Sequence, residues 1–294
     1  MIKDLEAEFK NALIDGGIFL AVNTKIIPDG RLRRASAVND KPGQLSIWYN
    51  LHLDTPASGV AGNWRTGARV KWSSKRQSAL TATEKKTLRL RAEEERARAQ
   101  AEQQARYHNA AERALKIWAA SAPAAPQHPY LDRKGITPGI ARQSGPSLVL
   151  PVVGFNGALH GLQFIHPDGH KRFLPGMSKA GHFIPTSEIP DGTRPLWIAE
   201  GWATASSLAA MKQDACHISA LDCGNLANVA QAARAKWPGL EIVLAPDFDA
   251  IGQEKGRAAA SAARAMILPM PARIPEGATD WNDIVAARRQ GVGP

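Results

Sequence analysis

The chain has 294 residues and a mass of 31.6 kDa, which is enough for two compact domains. Apolar residues make up 44% of it, so a sizeable core can form and wholesale disorder is excluded. The only cysteines, Cys216 and Cys223, exclude a disulfide scaffold and a four-ligand zinc ribbon. No apolar run is long enough to span a membrane, and the acidic N-terminus is unlike a signal peptide. We therefore expect a cytoplasmic protein that does not act on membranes.

The net charge of +10 is distributed unevenly along the chain. Residues 1–75 contain 11 basic and 7 acidic residues, a net charge of +4, whereas residues 196–294 contain 9 basic and 10 acidic residues, a net charge of −1. A basic surface is typical of proteins that bind nucleic acids, although solubility alone can also explain it. Basic surfaces beside a local acidic cluster indicate a polyanion-binding protein that also holds cations.

Residues 1–75 contain short apolar runs separated by turns rich in proline and glycine, a pattern that predicts a small, basic, β-rich module. Tryptophans alternate with arginines and lysines in its second half. Aromatic side chains interleaved with cations suit the stacking of unpaired bases and contact with a phosphate backbone, which makes Trp64 and Arg65 candidates for template binding. A place in the core of the module is the alternative for each tryptophan, and the more common one.

Residues 76–122 are predicted to contain a long, charged connecting helix. The stretch has no glycine or proline and is rich in good helix formers. Thr81 and Glu84 have the spacing of a capping box, so we expect the helix itself over 82–120. The middle of this helix has almost no large apolar residue, which favours a solvated connector over a packed coiled coil.

Two different patterns follow in the rest of the chain. Over 123–194, apolar and polar residues alternate, with hairpin turns at Asn156-Gly157 and Asp168-Gly169, which predicts a basic antiparallel β subdomain. Over 195–294, short apolar strands alternate with alanine-rich helices, which predicts a parallel sheet flanked by helices. The predicted fold class is therefore α/β for the C-terminal domain and α+β for the chain as a whole.

Acidic residues directly follow two of the predicted parallel strands, as Glu200-Gly201 and as Asp247-Phe248-Asp249. Ligands of open α/β sheets bind at the carboxyl ends of the strands. In an extended segment Asp247 and Asp249 point to the same side, because side-chain direction repeats every two residues. Such a pair suits Mg²⁺ shared with substrate phosphates, and a third carboxylate can serve as ligand or as proton acceptor. Unrelated surface acids are the alternative, but the combination favours a site for phosphoryl transfer.

Given these motifs, residues 195–290 resemble the Toprim domain that bacterial-type primases, topoisomerases and some nucleases share. That family has a Glu-Gly after its first strand and an Asp-x-Asp followed by Gly after a later one, here Glu200-Gly201, Asp247–Asp249 and Gly252. Residues 279–283 resemble a Lys-Asp-x-Asn-Asp segment of phage and plasmid primases, with Thr279 in place of Lys. The resemblance implies catalytic and metal-binding roles for Glu200, Asp247 and Asp249, with Asp280 and Asp283 as further candidate ligands.

The resemblance extends upstream of this domain. Residues 147–184 are similar to the region that precedes Toprim in primases, which lines a basic groove for template and nucleotide. Lys171, Arg172 and Lys179 are the matching candidates, with ordinary surface charge as the alternative. Many such primases begin with a cysteine-rich zinc ribbon, but this chain has no cysteine before residue 216, so we expect no zinc.

The resemblance implies a DNA primase from a plasmid, phage or integrative element. It would join ribonucleoside triphosphates into short primers on single-stranded DNA with Mg²⁺ or Mn²⁺, with a replicative helicase as a further candidate partner. Two alternatives stay open. A Toprim nuclease or related phosphodiesterase would use the same acids with water, which the primase-like upstream region disfavours. A non-catalytic single-strand binder that loads a replication partner is disfavoured by the intact acids.

Overall fold

The computed structural model of the chain describes residues 2–75 and 80–289. The chain divides into two units, Met1–Ala99 and Gln100–Pro294, each with hydrophobic core clusters of its own. The start of the predicted connecting segment, residues 76–79, lies outside the described residues, as do residues 290–294. No helix in the described part of the chain is long and apolar enough to cross a lipid bilayer.

The first unit contains a four-stranded antiparallel sheet whose strands follow chain order: β1 (Arg33–Ala35), β2 (Ile47–His52), β3 (Ser58–Asn63) and β4 (Arg69–Ser73). A helix, α1 (Ile2–Asp15), contributes the buried side chains of Phe9 and Leu13 to the core of this unit. The β-rich module predicted from the sequence is therefore present. Helix α1 is a part of the module that the sequence analysis did not anticipate.

The long helix α2 (Ala82–Ala120) has the limits predicted for it. Its capping box is formed, because the Glu84 N–H donates to Thr81 Oγ1 at 3.2 Å and the Thr81 N–H donates to Glu84 Oε2 at 2.8 Å. The helix thus begins where the capping box satisfies exposed amide groups of its first turn.

Helix α2 is nevertheless not solvated on all sides. Within the first unit, Arg91 pairs with Asp54 at 2.5 Å, and Glu95 pairs with His52. In the second unit the helix buries small residues of its last turns in the core, Ala110 and Ala114. The division of the chain into four segments, with this helix as a solvated connector, stays a prediction.

The second unit begins with a five-stranded antiparallel sheet of order β5-β6-β7-β8-β9, formed by β5 (Ala122–Pro123), β6 (Arg142–Ser144), β7 (Ser147–Val153), β8 (Leu159–Ile165) and β9 (Lys171–Phe173). A short helix, α3 (Pro129–Lys134), lies between β5 and β6. The two predicted hairpin turns are present, and their glycines, Gly157 and Gly169, have φ of 80° and 95°. A residue with a side chain is strained there, which explains why glycine closes these turns.

The second sheet of this unit has the order β10-β12-β11-β13-β14, formed by β10 (Ile184–Pro185), β11 (Leu196–Ala199), β12 (Cys216–Ser219), β13 (Ile242–Ala245) and β14 (Met266–Ile267). Strands β11 to β14 are parallel, and β10 joins β12 in antiparallel orientation. The helices around this sheet are α4 (Trp202–Met211), α5 (Cys223–Lys236), α6 (Ala250–Ala263) and α7 (Trp281–Arg289). This confirms the predicted parallel sheet flanked by helices.

Alternate residues of β11 explain how both faces of this sheet are covered. Leu196 and Ile198 are buried in one core cluster with side chains of α5 and α6. Ala199 belongs to a second cluster, with side chains of α4 and α7. A strand covered on both faces is mostly apolar, and β11 ends directly before the first charged residue, Glu200.

Candidate active site

The site lies where two neighbouring parallel strands end. Ala199 of β11 pairs with Ala245 of β13, so the residues that follow these strands meet at the same edge of the sheet. Glu200 comes directly after β11, and its Oε1 accepts a hydrogen bond from the Asp247 N–H at 3.1 Å. This bond fixes the largely buried Glu200 carboxylate against the beginning of the Asp-x-Asp segment.

The pKa values of two carboxyl groups at this edge, Asp247 and Glu200, are raised. Loss of hydration, followed by the charges of Glu200, Asp280 and Asp249, raises the pKa of Asp247 to about 7. Loss of hydration is also the main cause that raises the pKa of Glu200, and the charges of Asp249, Asp222 and Asp280 add to it. Like charges in a partly dehydrated place favour a bound cation, because the cation supplies the missing counter-charge.

Asp249 lies at the beginning of α6 and caps it. Its Oδ1 accepts a hydrogen bond from the Gly252 N–H at 2.6 Å, which satisfies one of the free amide groups of the first turn. Gly252 also lies close to the other two acids, since a Cβ at this position would be 2.8 Å from the Asp247 carbonyl oxygen and 2.9 Å from Glu200 Oε1. The glycine after the Asp-x-Asp motif thus lets the helix approach both acids.

The segment before α7 closes over the Asp-x-Asp motif. The Phe248 N–H donates to the Thr279 carbonyl oxygen at 2.8 Å, and the Phe248 ring packs edge-on against Trp281 with ring centres 5.6 Å apart. Asp280 caps α7 by accepting the Asp283 N–H at 3.1 Å. These contacts bring Asp280 near enough for its charge to raise the pKa of Asp247 and of Glu200.

Asp280 and Asp283, the two further candidate ligands, differ in how free their carboxylates are to bind a cation. Asp283 Oδ2 accepts both the N–H and the hydroxyl of Thr279, at 2.9 and 3.0 Å, and its Oδ1 lies 3.5 Å from Lys134 Nζ. Its carboxylate is occupied by these local contacts, which lower its pKa against the opposing effect of burial. Asp280 is therefore the better placed of the two to join Asp247 and Asp249.

The donor atoms at this edge fit a hard divalent cation. Mg²⁺ and Mn²⁺ prefer carboxylate oxygens, and Asp247 Oδ1 is buried without a hydrogen-bond partner among the described residues. A bound cation would satisfy such an atom. In the parts of the chain that the structure describes, however, no three acidic, histidine or cysteine side chains are close enough together to hold an ion. A cation held here by one or two carboxylates would complete its coordination with water and substrate phosphates.

The three basic candidates upstream lie in different surroundings. Lys171, at the start of β9, is held near the acids: loss of hydration and then Lys134 lower its pKa, while the charges of Asp280 and Asp247 raise it. Arg172, the next residue of the strand, points to the opposite face of the sheet. Its guanidinium carbon lies over the Phe164 ring, 5.2 Å from the ring centre. Of these two adjacent residues, only Lys171 has the position to contact a ligand of the acids.

Lys179 pairs with Asp222, an acid that the sequence analysis did not single out. Asp222 caps α5 by accepting the Asn225 N–H at 3.0 Å, and its charge contributes to the raised pKa of Glu200. A signal for it existed, because Asp222 stands between a predicted strand and a predicted helix, as Asp249 does. It belongs to no Toprim motif named above, and the pairing with Lys179 spans 43 residues of sequence.

Trp64 and Arg65, the two template-binding candidates of the first unit, have different surroundings in the structure. The Trp64 side chain is 59% exposed, in the turn between β3 and β4, so the alternative of a core tryptophan does not apply to it. Arg65 pairs with Asp40, with Nη1 and Oδ1 3.2 Å apart. Of the other tryptophans, Trp72 packs against Phe9 of the core, with ring centres 5.7 Å apart.

Residues 195–291 match the Toprim domain family. They form a Toprim domain. The chain is also 32% identical over 272 residues to a DNA primase TraC of Escherichia coli, which covers 87% of this chain and 19% of the relative. A second Escherichia coli DNA primase TraC is 34% identical over 251 residues, covering 83% of this chain and 23% of the relative. The chain thus spans about a fifth of the length of these relatives.

Solved structures of primases give weaker likenesses. The primase fragment of the bacteriophage T7 primase-helicase protein aligns with a TM-score of 0.44 and 15% identity over 55% of this chain and 70% of that one. The DnaG primase catalytic domain bound to ssDNA aligns with a TM-score of 0.45 and 12% identity over 65% of this chain and 77% of that one. The resemblance to Toprim-domain primases that the sequence motifs predicted is confirmed by the family match and the similarity to TraC.

Proposed function

We propose that this chain acts as a DNA primase, which joins ribonucleoside triphosphates into short primers on a single-stranded DNA template. One observation carries the proposal: Asp247 Oδ1 is buried and unpartnered among the described residues, at a Toprim edge where the Asp247 amide also binds Glu200. The similarity to the TraC primases supports the same reaction class over most of this chain.

Asp247 and Asp249, joined by Asp280, would hold Mg²⁺ or Mn²⁺. When bound, the cation would offset the negative charge of the nucleotide phosphates in phosphoryl transfer. Lys171 would contribute a positive charge at the same place, since it already interacts with Asp247 and Asp280.

Glu200 would act as a proton acceptor beside this cation. Its pKa is raised by loss of hydration and by neighbouring carboxylates, which makes it a stronger proton acceptor than an ordinary glutamate. The hydrogen bond from the Asp247 amide engages Oε1 and leaves Oε2 to receive a proton from the attacking hydroxyl group. Binding of the metal by Glu200 is the other role compatible with its position.

We further propose, from the resemblance to plasmid and phage primases, that the protein serves a mobile element and works in the cytoplasm with a replicative helicase. In the described residues, Trp64 and Arg65 would contact the template, and Lys171, Arg172 and Lys179 would bind the template or the nucleotide. The ion pair between Lys179 and Asp222 would have to open for Lys179 to bind a phosphate.

Incubation of the full chain with single-stranded DNA, labelled ribonucleotides and Mg²⁺ or Mn²⁺ tests the proposal. New oligonucleotides that depend on the template support priming, whereas shortened DNA indicates a Toprim nuclease. Binding without either product indicates a non-catalytic single-strand binder. Asp247→Asn should abolish synthesis, and Asp214→Asn is a matched control because Asp214 is an exposed acid that pairs with Lys212.

A further inference from the structure

The sheet of the first unit has an outer face, opposite the side that packs on α1. Along β2 the buried residues alternate with half-buried ones, of which Trp48 is the first. The register places Arg34 of β1 beside Trp48, Trp48 beside Gly62 of β3, and Gly62 beside Arg69 of β4. Because residues paired across strands share a face, these four residues form one row across the outer face.

The Trp48 ring lies across the sheet instead of standing upright from it. A Cβ on Gly62 would be 2.5, 2.6 and 2.8 Å from Cζ2, Cε2 and Nε1 of this ring, three atoms drawn from both of its fused cycles. These three atoms are neighbours along one edge of the indole, so this edge lies over Gly62. The missing side chain at position 62 is what permits the close approach, and Trp48 remains half-buried on the outer face.

Three cations surround the tryptophan on the same face. Arg34 and Arg69 lie at the two ends of its row, and Lys71 lies two residues further along β4, beside Val60. All three are exposed, and no carboxylate among the described residues pairs with them. Two other cations of this unit are, by contrast, paired with acids: Arg33 with Asp29, and Lys75 with Glu84.

In the described part of the first unit, α2 covers the other end of this face. Glu95 of α2 pairs with His52 and lies 3.5 Å from Asn50 Nδ2, so the helix contacts the last residues of β2. The row of Trp48 is two residues away from Asn50, toward the turn that carries the exposed Trp64. The open part of the outer face thus presents a flat aromatic ring with unpaired cations on both sides.

We propose that this outer face, defined by Arg34, Trp48, Gly62, Arg69 and Lys71, binds single-stranded DNA. An unpaired base would stack on the solvent-accessible part of the half-buried Trp48 ring, and phosphates of the backbone would contact the cations beside it. Stacking is available to any base, so binding should depend little on sequence, and the cations should make it sensitive to salt. The inference deepens the proposed function, because it assigns a site for the template strand.

Titration of the full chain with a fluorescently labelled oligothymidylate, followed by anisotropy at several salt concentrations, tests this assignment. Trp48→Leu should weaken binding about 5- to 150-fold with little change of the salt dependence. Arg34→Gln and Arg69→Gln should each reduce the slope of log K against log salt by about 0.7. Lys41→Gln, which removes an exposed cation from a turn outside this face, is the control and should leave the slope unchanged.

Gly62→Ala tests whether binding depends on the position of the Trp48 ring, because this variant keeps the tryptophan but moves its ring. The added Cβ must displace the Trp48 ring, so oligothymidylate binding should fall while the melting temperature stays within a few degrees of wild type. Unchanged affinity in Gly62→Ala and in a folded Trp48→Leu variant would overturn the proposal. If Trp48→Leu fails to fold, the affinity of Gly62→Ala and the salt dependence of the two arginine variants test the proposal instead, and wild-type values in all three would overturn it.

The same variants distinguish this inference from the proposed function. With template in excess, Trp48→Leu should still make primers, because the acids of the Toprim domain are untouched. A wild-type protein that makes no primers but binds oligothymidylate through Trp48 would refute priming and support the outer face. Normal priming with unchanged binding in the folded variants would refute the outer face alone.

Discussion

Glu200 Oε1 accepts its hydrogen bond from the backbone of Asp247, at 3.1 Å, and not from a side chain. A glutamine at position 200 can accept the same bond, since its amide oxygen has the same geometry. The charge and the proton-accepting capacity of Glu200 can therefore be removed without breaking the contact that joins the ends of β11 and β13. Substitutions at this edge can thus separate chemistry from folding.

Glu200→Gln should reduce primer synthesis at least 100-fold, because the amide neither carries charge nor takes a proton at neutral pH. The melting temperature should stay equal to or above that of wild type, since a partly dehydrated charge is lost. Synthesis on single-stranded DNA and thermal unfolding, measured on the same preparation, check both statements. Wild-type turnover in this variant would show that Glu200 has no catalytic role.

Asp249 permits a comparison between its capping role and its proposed role as a metal ligand. Asp249→Ala should lose about 1 kcal/mol of stability, because the Gly252 N–H loses its acceptor, whereas Asp249→Asn should keep most of the cap. Both variants should lose primer synthesis, since neither has a carboxylate for the cation. Denaturant unfolding combined with the primer assay tests this. An active Asp249→Asn variant would restrict Asp249 to capping.

Asp247 should make the metal-free protein less stable as the pH rises. Its folded-state pKa of about 7 lies above the ordinary 3.8, so between these values the folded chain holds a proton that the unfolded chain has released. The stability that this group provides at low pH is therefore lost as the pH rises through about 7. Asp247→Asn, which carries no charge, should be more stable than wild type above that pH.

The size of this effect should be on the order of 1–3 kcal/mol in a chelating buffer, since one pKa unit is about 1.4 kcal/mol and solvent screens part of it. At about pH 4 the difference should vanish. Added Mg²⁺ should raise the melting temperature of wild type and not that of Asp247→Asn. A variant that is less stable than wild type at both pH values contradicts the assignment.

Trp64→Ala should weaken binding of single-stranded DNA about fivefold to a hundredfold and leave the melting temperature unchanged. The reason is that the side chain is 59% exposed, so its removal creates no cavity. Trp72→Ala is the contrasting variant: it removes a ring that packs against Phe9 and should lower the melting temperature. Circular dichroism melting alongside a binding titration measures both. A destabilised Trp64→Ala variant would contradict the exposed position.

Limited proteolysis with trypsin should cut α2 within its exposed arginine-rich part, at Arg96, Arg98 or Arg106. Arg91 should be protected, because it pairs with Asp54. The cut should release a C-terminal fragment that melts cooperatively, which mass spectrometry and calorimetry can establish. Resistance along the whole helix would show that it is packed and that the predicted connector is wrong.

The strand ends of the Toprim domain could be predicted because apolar runs stop where Glu200 and Asp247 begin. The hairpins at Gly157 and Gly169 were equally accessible, since their turns need residues with positive φ. These features are local, and a short stretch of sequence contains the whole physical reason for them.

Contacts between distant parts of the chain could not be predicted in this way. Lys179 was expected at a phosphate, but its partner in the structure is Asp222, and only the folded chain brings the two together. The placement of Trp48 over Gly62 likewise depends on strand register. Helix α1 was missed because turn signals dominate the first 75 residues and drew the interpretation toward strands.

The C-terminal helix α7 is tied to a distant part of the second unit through Asn282. This buried side chain donates to the Lys134 carbonyl oxygen and to Ser207 Oγ, both at 2.8 Å, and Arg289 reaches the Gly135 carbonyl oxygen. Anyone who shortens the protein for crystallisation, or fuses a tag to it, should therefore keep the sequence through residue 289. A version that stops before Trp281 would uncover the Phe248 ring between the two aspartates and should aggregate on expression.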